Sequence, residues 1–192
     1  MTNAEQYFVH QAVIALAGQI GEIRARRGSE PGWVKYLSEE RRRAIHEASH
    51  AIVAASVAHY VHRVSIVPDC ERRSCSGKYF SGGHCLHSSK PDIEDCVPEE
   101  PVLINDSSRV ALAALALTLT HCPEETPRWI AARRMISLLR QSTLALVERH
   151  WFLIMALASE LERSKEMDKV AVEPYTNRVQ AVCVDIPCFP PS

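Results

Sequence analysis

Apolar residues fall into several long runs separated by polar, proline-bearing stretches, and the spacing within each run predicts its element. Over residues 5–26, Phe8, Val13, Ile14, Leu16, Ile20 and Ile23 supply the apolar positions of an amphipathic helix. Arg24, Arg26 and Arg27 sit near its C-terminal end, where cations meet the negative pole of the helix dipole. Gly28-Ser29-Glu30-Pro31-Gly32 breaks it, and Trp33 and Tyr36 lead into a second helix expected over residues 39–60. Ser38 suits its N-cap, Glu39 and Glu40 suit its positive end, and no Gly or Pro follows until Pro68. Along this helix Ala44, Ala48, Ala51, Ala55 and Ala58 recur at spacings of three and four, a small-residue face that lets a neighbour pack closely. His46, His50, Val53 and Val57 form a separate stripe.

The pattern then changes period. Val61-His62-Arg63-Val64-Ser65-Ile66-Val67 alternates as a strand does and stops at Pro68-Asp69. Gly77-Lys78-Tyr79-Phe80 is a second candidate strand, ended by Gly82-Gly83. Two such strands make a small sheet whose edge could hold an extended peptide by main-chain hydrogen bonds. Residues 84–108, rich in Pro, Ser, Asp and Glu, read as a long surface loop. Helix returns after Ser107 or Ser108 through Val110–Leu117, apolar nearly all round and so expected to be buried. His121–Pro127 forms a turn in which Thr126 and Pro127 suit N-cap and first-turn positions. Helix resumes from Trp129 to about Glu162, with an interruption near Gln141-Ser142-Thr143. Pro174, Pro187, Pro190 and Pro191 predict an extended tail. The fold class is therefore mainly α with a small sheet or hairpin. The expected organisation is an N-terminal helix and linker over 1–36 packed on one domain over 37–173, then a tail over 174–192.

Composition narrows the functions. The 192 residues suffice for one domain with a sizeable core. Twenty-two basic residues against twenty-three acidic ones mark neither a nucleic-acid nor an anionic-membrane binder. The opening residues lack the basic and apolar regions of a signal peptide. The longest apolar run, Val110–Leu119, is too short to span a bilayer, and a cytoplasmic location is expected. The cysteines, Cys70, Cys75, Cys85, Cys96, Cys122, Cys183 and Cys188, are odd in number and include no C-x-x-C, which favours reduced thiols over a disulfide framework. Four of them cluster between 70 and 96 with His84 and His87; a structural zinc there is conceivable, loop thiols being the simpler reading.

Candidate chemistry centres on the H-E-x-x-H run His46-Glu47-Ala48-Ser49-His50. Residues four apart share one helix face, so His46 and His50 can offer two imidazole nitrogens to one zinc. Zinc can lower the pKa of a bound water from ~15.7 to ~7. A carboxylate beside that water, Glu47, can take its proton as the peptide carbonyl is attacked.

In these pieces the chain resembles the peptidase domain of the FtsH family, membrane-anchored AAA proteases with a zinc site. The likeness runs over residues 40–165: Arg43–Ala54 resembles the family's metal helix, and His62–Pro68 the strand that follows it. Gly77-Lys78-Tyr79 stands where the family has a Gly-x-x-Tyr segment beside the substrate cleft, and Ala131–Met135 and Glu148–Leu161 are similar to later helices of the family. The resemblance implies a zinc endopeptidase with His46 and His50 as ligands, Glu47 as base, and Lys78, Tyr79 and Phe80 at the substrate. The family's third ligand is an Asp eight residues before an Ala-Arg-Arg-Met-like segment. Counting back from Ala132 lands on Glu124, with Glu125 adjacent; Asp106 and His121 are the other candidates.

Two departures stand out. The family's usual Gly between Glu47 and His50 is Ser49 here, and no G-x-x-x-x-G-K-[ST] phosphate loop is present. Such a peptidase would act on peptides or unfolded segments, alone, with a separate ATPase, or as the hexamer the family forms. The alternative reading is a catalytically inactive relative that keeps the fold as a binding module.

Overall fold

A computed structural model describes residues 3–27, 36–67, 83–88, 106–121, 127–182 and 184, with the backbone alone at 3–4, 119–121 and 128. In chain order the elements are α1 (Asn3–Arg26), α2 (Glu39–Ser56), β1 (Tyr60–Ser65), β2 (His84–Ser88), α3 (Asp106–His121), α4 (Arg128–Arg149), α5 (Trp151–Ser164), β3 (Glu166–Asp168) and α6 (Lys169–Thr176). The protein is thus mainly α-helical with one small antiparallel sheet, the class that its periodicities predict.

α2 starts as expected, with the Ser38 hydroxyl accepting from the Arg41 amide at 3.1 Å. It ends at Ser56, short of the expected residue 60. Val57 caps it and Ala58 adopts a positive φ of 60°, turning the chain into β1. The expected small-residue face holds over most of its length: Ala44, Ala48 and Ala51 are buried, whereas Ala58 is exposed. α1 packs along α2 and also touches α3 and α4. Its middle is buried on every side, since Val9, Ala12, Val13, Ile14, Ala15, Leu16 and Ala17 all lie in the core. The helix expected over 5–26 is present and packs on the rest of the domain, but its middle is not amphipathic, since it carries no exposed residue. Small residues at successive positions give it little contrast between faces.

The sheet has the order β2-β1-β3, with Val64 of β1 opposite both Cys85 and Met167. β2 replaces the start of the surface loop expected over 84–108. His84-Cys85-Leu86-His87-Ser88 has no clean apolar alternation, and pairing with β1 makes it a strand. Three-residue β3 was not expected at all. The segment Gly77–Phe80, read as a strand, lies outside the described residues.

Three further expectations change. α3 begins at Asp106, and it is not buried all round: Val110, Ala113, Ala114 and Leu117 face the core while Leu112 and Leu115 are exposed. α4 runs unbroken through Gln141-Ser142-Thr143; the buried Thr143 hydroxyl is satisfied within the helix by donating to the Leu139 carbonyl at 2.7 Å. The interruption falls instead at His150, between α4 and α5. Pro174 lies inside α6 rather than opening an extended tail, and Asp168 caps that helix by accepting from the Ala171 amide at 2.9 Å. The Arg41-Arg42-Arg43 run is tied to its surroundings: Arg41 pairs with Glu162, Arg42 with Glu22 at 3.2 Å, and Arg43 donates to the Ile66 carbonyl at 3.3 Å.

Candidate metal centre

His46 and His50 project from one face of α2, their ring centres 4.7 Å apart and their planes at 73°. The third group comes from the first residue of α3. Asp106 Oδ2 lies 3.5 Å from His46 Nε2 and 3.4 Å from His50 Nε2. These separations are long for hydrogen bonds. They suit three donors around one tetrahedral ion, because ligands held at ~2.0–2.1 Å stand roughly 3.3 Å apart. His46, His50 and Asp106 could hold a metal ion, their donor atoms all lying within 4.8 Å of one another. The 41 % exposure of the Asp106 side chain leaves one side of the cluster open.

α1 fixes both imidazoles from behind. His46 Nδ1 donates to Glu22 Oε1 at 2.7 Å, and His50 Nδ1 donates to the Ile14 carbonyl at 2.7 Å. Engaging Nδ1 in this way sets the tautomer and turns Nε2 toward Asp106, the orientation a ligating histidine requires. Glu22 also meets Arg42 at 3.2 Å and Arg26 at 3.3 Å. Burial raises the pKa of Glu22, but its bonds to His46 and Arg42 outweigh that and hold it below the usual value. Burial also opposes charge on His46. Asp106 on one nitrogen and Glu22 on the other prevail and lift its pKa to about 10, while the two histidines keep Asp106 well below the carboxylate range despite its own burial.

Glu47 points away from the solvent and is 5 % exposed. Burial pushes its carboxyl pKa up, against the pull of His50 and His46. Gly83, just before β2, lies against it: a Cβ there would stand 2.8 Å from Glu47 Cγ and 2.9 Å from Ile66 Cα. Burial also drives the Cys85 thiol pKa well up, with Glu47 adding to the shift, so this cysteine is a thiol and not a nucleophilic thiolate at neutral pH.

Of the residues singled out in the sequence, the structure brings together His46, His50 and Asp106, with Glu47 alongside. Glu124, Glu125, Lys78, Tyr79 and Phe80 lie outside the described residues, as does the side chain of His121. Ser49 is fully buried and its hydroxyl donates to the Ile45 carbonyl at 2.7 Å. It has space because Gly21 of α1 faces it; a Cβ on Gly21 would overlap Ser49 Oγ and lie 3.0 Å from Ser49 Cβ. Glu22 and the Ile14 carbonyl carry no signal in the sequence. Asp106 carries one: an acid opening an apolar helix, the arrangement that also marks Glu39 and Glu40.

Among the described residues no helix is long and apolar enough to cross a membrane. No protein-family model matches the chain, and neither a curated protein nor a solved structure matches it.

Proposed function

We propose that this protein is a zinc-dependent endopeptidase of the FtsH-peptidase type, with His46, His50 and Asp106 as ligands. The observation that carries the reading is the placement of Asp106 Oδ2 at 3.4–3.5 Å from two Nε2 atoms whose rings are locked through Nδ1. Two imidazoles and one carboxylate are the donor set of a catalytic zinc with an open position. When bound, the ion supplies a Lewis acid that polarises a carbonyl and acidifies water. The H-E-x-x-H run and the segments similar to FtsH peptidases point the same way.

Glu47 does the proton work. As general base it accepts a proton at its carboxylate and returns it to the leaving amine; burial, which raises its pKa against the pull of His50 and His46, makes it a stronger proton acceptor. Glu22 and the Ile14 carbonyl keep the imidazoles from rotating. Substrate reaches the cluster from the Asp106 side, and the Gly83 backbone leaves no side chain between Glu47 and the start of β2.

The test is hydrolysis of a fluorogenic peptide library by wild type and Glu47→Gln, with bound zinc measured in both. The wild type should cleave and a chelator should stop it, while Glu47→Gln keeps its zinc and cleaves about 10²–10⁴-fold more slowly. Equal cleavage by the variant would remove Glu47 from the mechanism. Zinc without any cleavage in the wild type would leave the fold as a binding module.

A further inference from the structure

A second group of imidazoles lies where three other elements meet. His10 comes from α1, His59 from the link between α2 and β1, and His87 from β2. The ring centres of His10 and His59 are 5.5 Å apart and those of His59 and His87 5.1 Å apart. His59 Nδ1 and His87 Nδ1 are separated by 3.1 Å, a hydrogen bond in which one ring must donate and the other accept. In either arrangement the far nitrogen of His59 is unmatched: Nε2 is buried with no hydrogen-bond partner, in a residue only 6 % exposed.

One arrangement makes this orphan atom useful. If His59 Nδ1–H donates to His87 Nδ1, Nε2 is left as a bare lone pair with its ring fixed from the other side. His46 and His50 stand in that same relation to Glu22 and the Ile14 carbonyl. Two imidazoles sharing an ion at ~2.0–2.1 Å have ring centres roughly 5 Å apart, close to the His10–His59 spacing. Burial pushes the pKa of His59 down to about 4 and that of His87 to about 3, and it lowers that of His10, so all three rings are in the neutral form that binds cations.

We propose that His59 and His10 bind a second d-block divalent cation, zinc, nickel or copper, with His87 as the positioning residue that orients His59. Imidazole ligands suit these ions. His10 is only partly buried, so water can fill the remaining positions. The ion would tie α1 to the junction of α2 and β1, apart from the His46/His50/Asp106 cluster and independent of any peptidase activity.

The experiment is a calorimetric zinc titration of the metal-stripped full chain, alongside His59→Gln, His10→Gln and Asp106→Asn. The wild type should take up two equivalents, the second weaker. His59→Gln and His10→Gln should each lose the weaker one and keep the stronger; Asp106→Asn should do the reverse, so that failure of either site is seen separately. His10→Gln, on the partly exposed ring, carries the test if His59→Gln does not fold. A single equivalent that both His59→Gln and His10→Gln keep, or two equivalents in both of those variants, would overturn the proposal and leave a hydrogen-bonded histidine pair; a single equivalent that Asp106→Asn keeps and the His59 and His10 variants lose would instead uphold it and remove the first site.

Discussion

Gly18 of α1 lies directly against the imidazole of His46: a Cβ at this position would stand 2.5 Å from Cδ2 and 2.6 Å from Cε1, and closer still to Nε2. Gly18→Ala must therefore move the ring or the helix that carries it. Forcing a methyl into such a contact costs about 1–3 kcal/mol. Thermal unfolding should report that loss, and a chelator competition assay should show weakened zinc binding. Unchanged zinc affinity would mean that His46 has room to spare.

One turn along α1, Gly21 faces Ser49, and the two positions should be coupled. Gly21→Ala alone collides with Ser49 Oγ, while Ser49→Gly opens the space again. A double-mutant cycle on urea unfolding should find the pair less destabilised than the sum of the single variants, by 0.5 kcal/mol or more in order of magnitude, roughly the onset of coupling between touching residues. Strict additivity would contradict the packing described.

At the proposed metal site Glu22 would act through His46, whose Nδ1 it holds, and not by touching the ion. Replacing it with Gln keeps a hydrogen-bond acceptor but removes the charge; Ala removes both. Zinc affinity should fall by roughly 10–100-fold in Glu22→Ala, with a smaller loss in Glu22→Gln. An NMR shift of the His46 Nδ1 proton would separate this from general unfolding, because the bond to Glu22 is its only described partner on that nitrogen.

Metal binding should also release protons. His46 lies between two carboxylates, and without metal its pKa of about 10 makes it an imidazolium at pH 7. An ion on Nε2 has to replace that proton, so zinc affinity rises with pH and falls as the pH drops. Calorimetry at pH 7 in buffers of different ionisation heat should find about one proton released from His46 for the ion bound at that site. A heat independent of the buffer would contradict the assignment.

Elements set by local chemistry were legible in the sequence. Ser38 with Glu39 and Glu40 marked the start of α2, and the spacing of His46 and His50 put both on one face. What depends on distant partners was not. β3 is three residues long and exists by pairing with β1, and β2 is a strand for the same reason. Asp106 is fifty-six positions after His50, and only the placing of α3 beside α1 brings it back. Counting back from Ala132 points to Glu124, which lies outside the described residues; among those described, the carboxylate that meets the histidines is Asp106, which opens α3. Glu22 could not be identified from sequence because its role is a contact between helices, not a pattern within one.

The central claim is that Asp106 completes the site with His46 and His50. Zinc content should be measured by elemental analysis on wild type, Asp106→Asn and Glu124→Gln, purified side by side. Asp106→Asn should hold one equivalent fewer than the wild type, and Glu124→Gln the same amount. Retained zinc in Asp106→Asn together with a lost equivalent in Glu124→Gln would contradict the account and return the third position to Glu124.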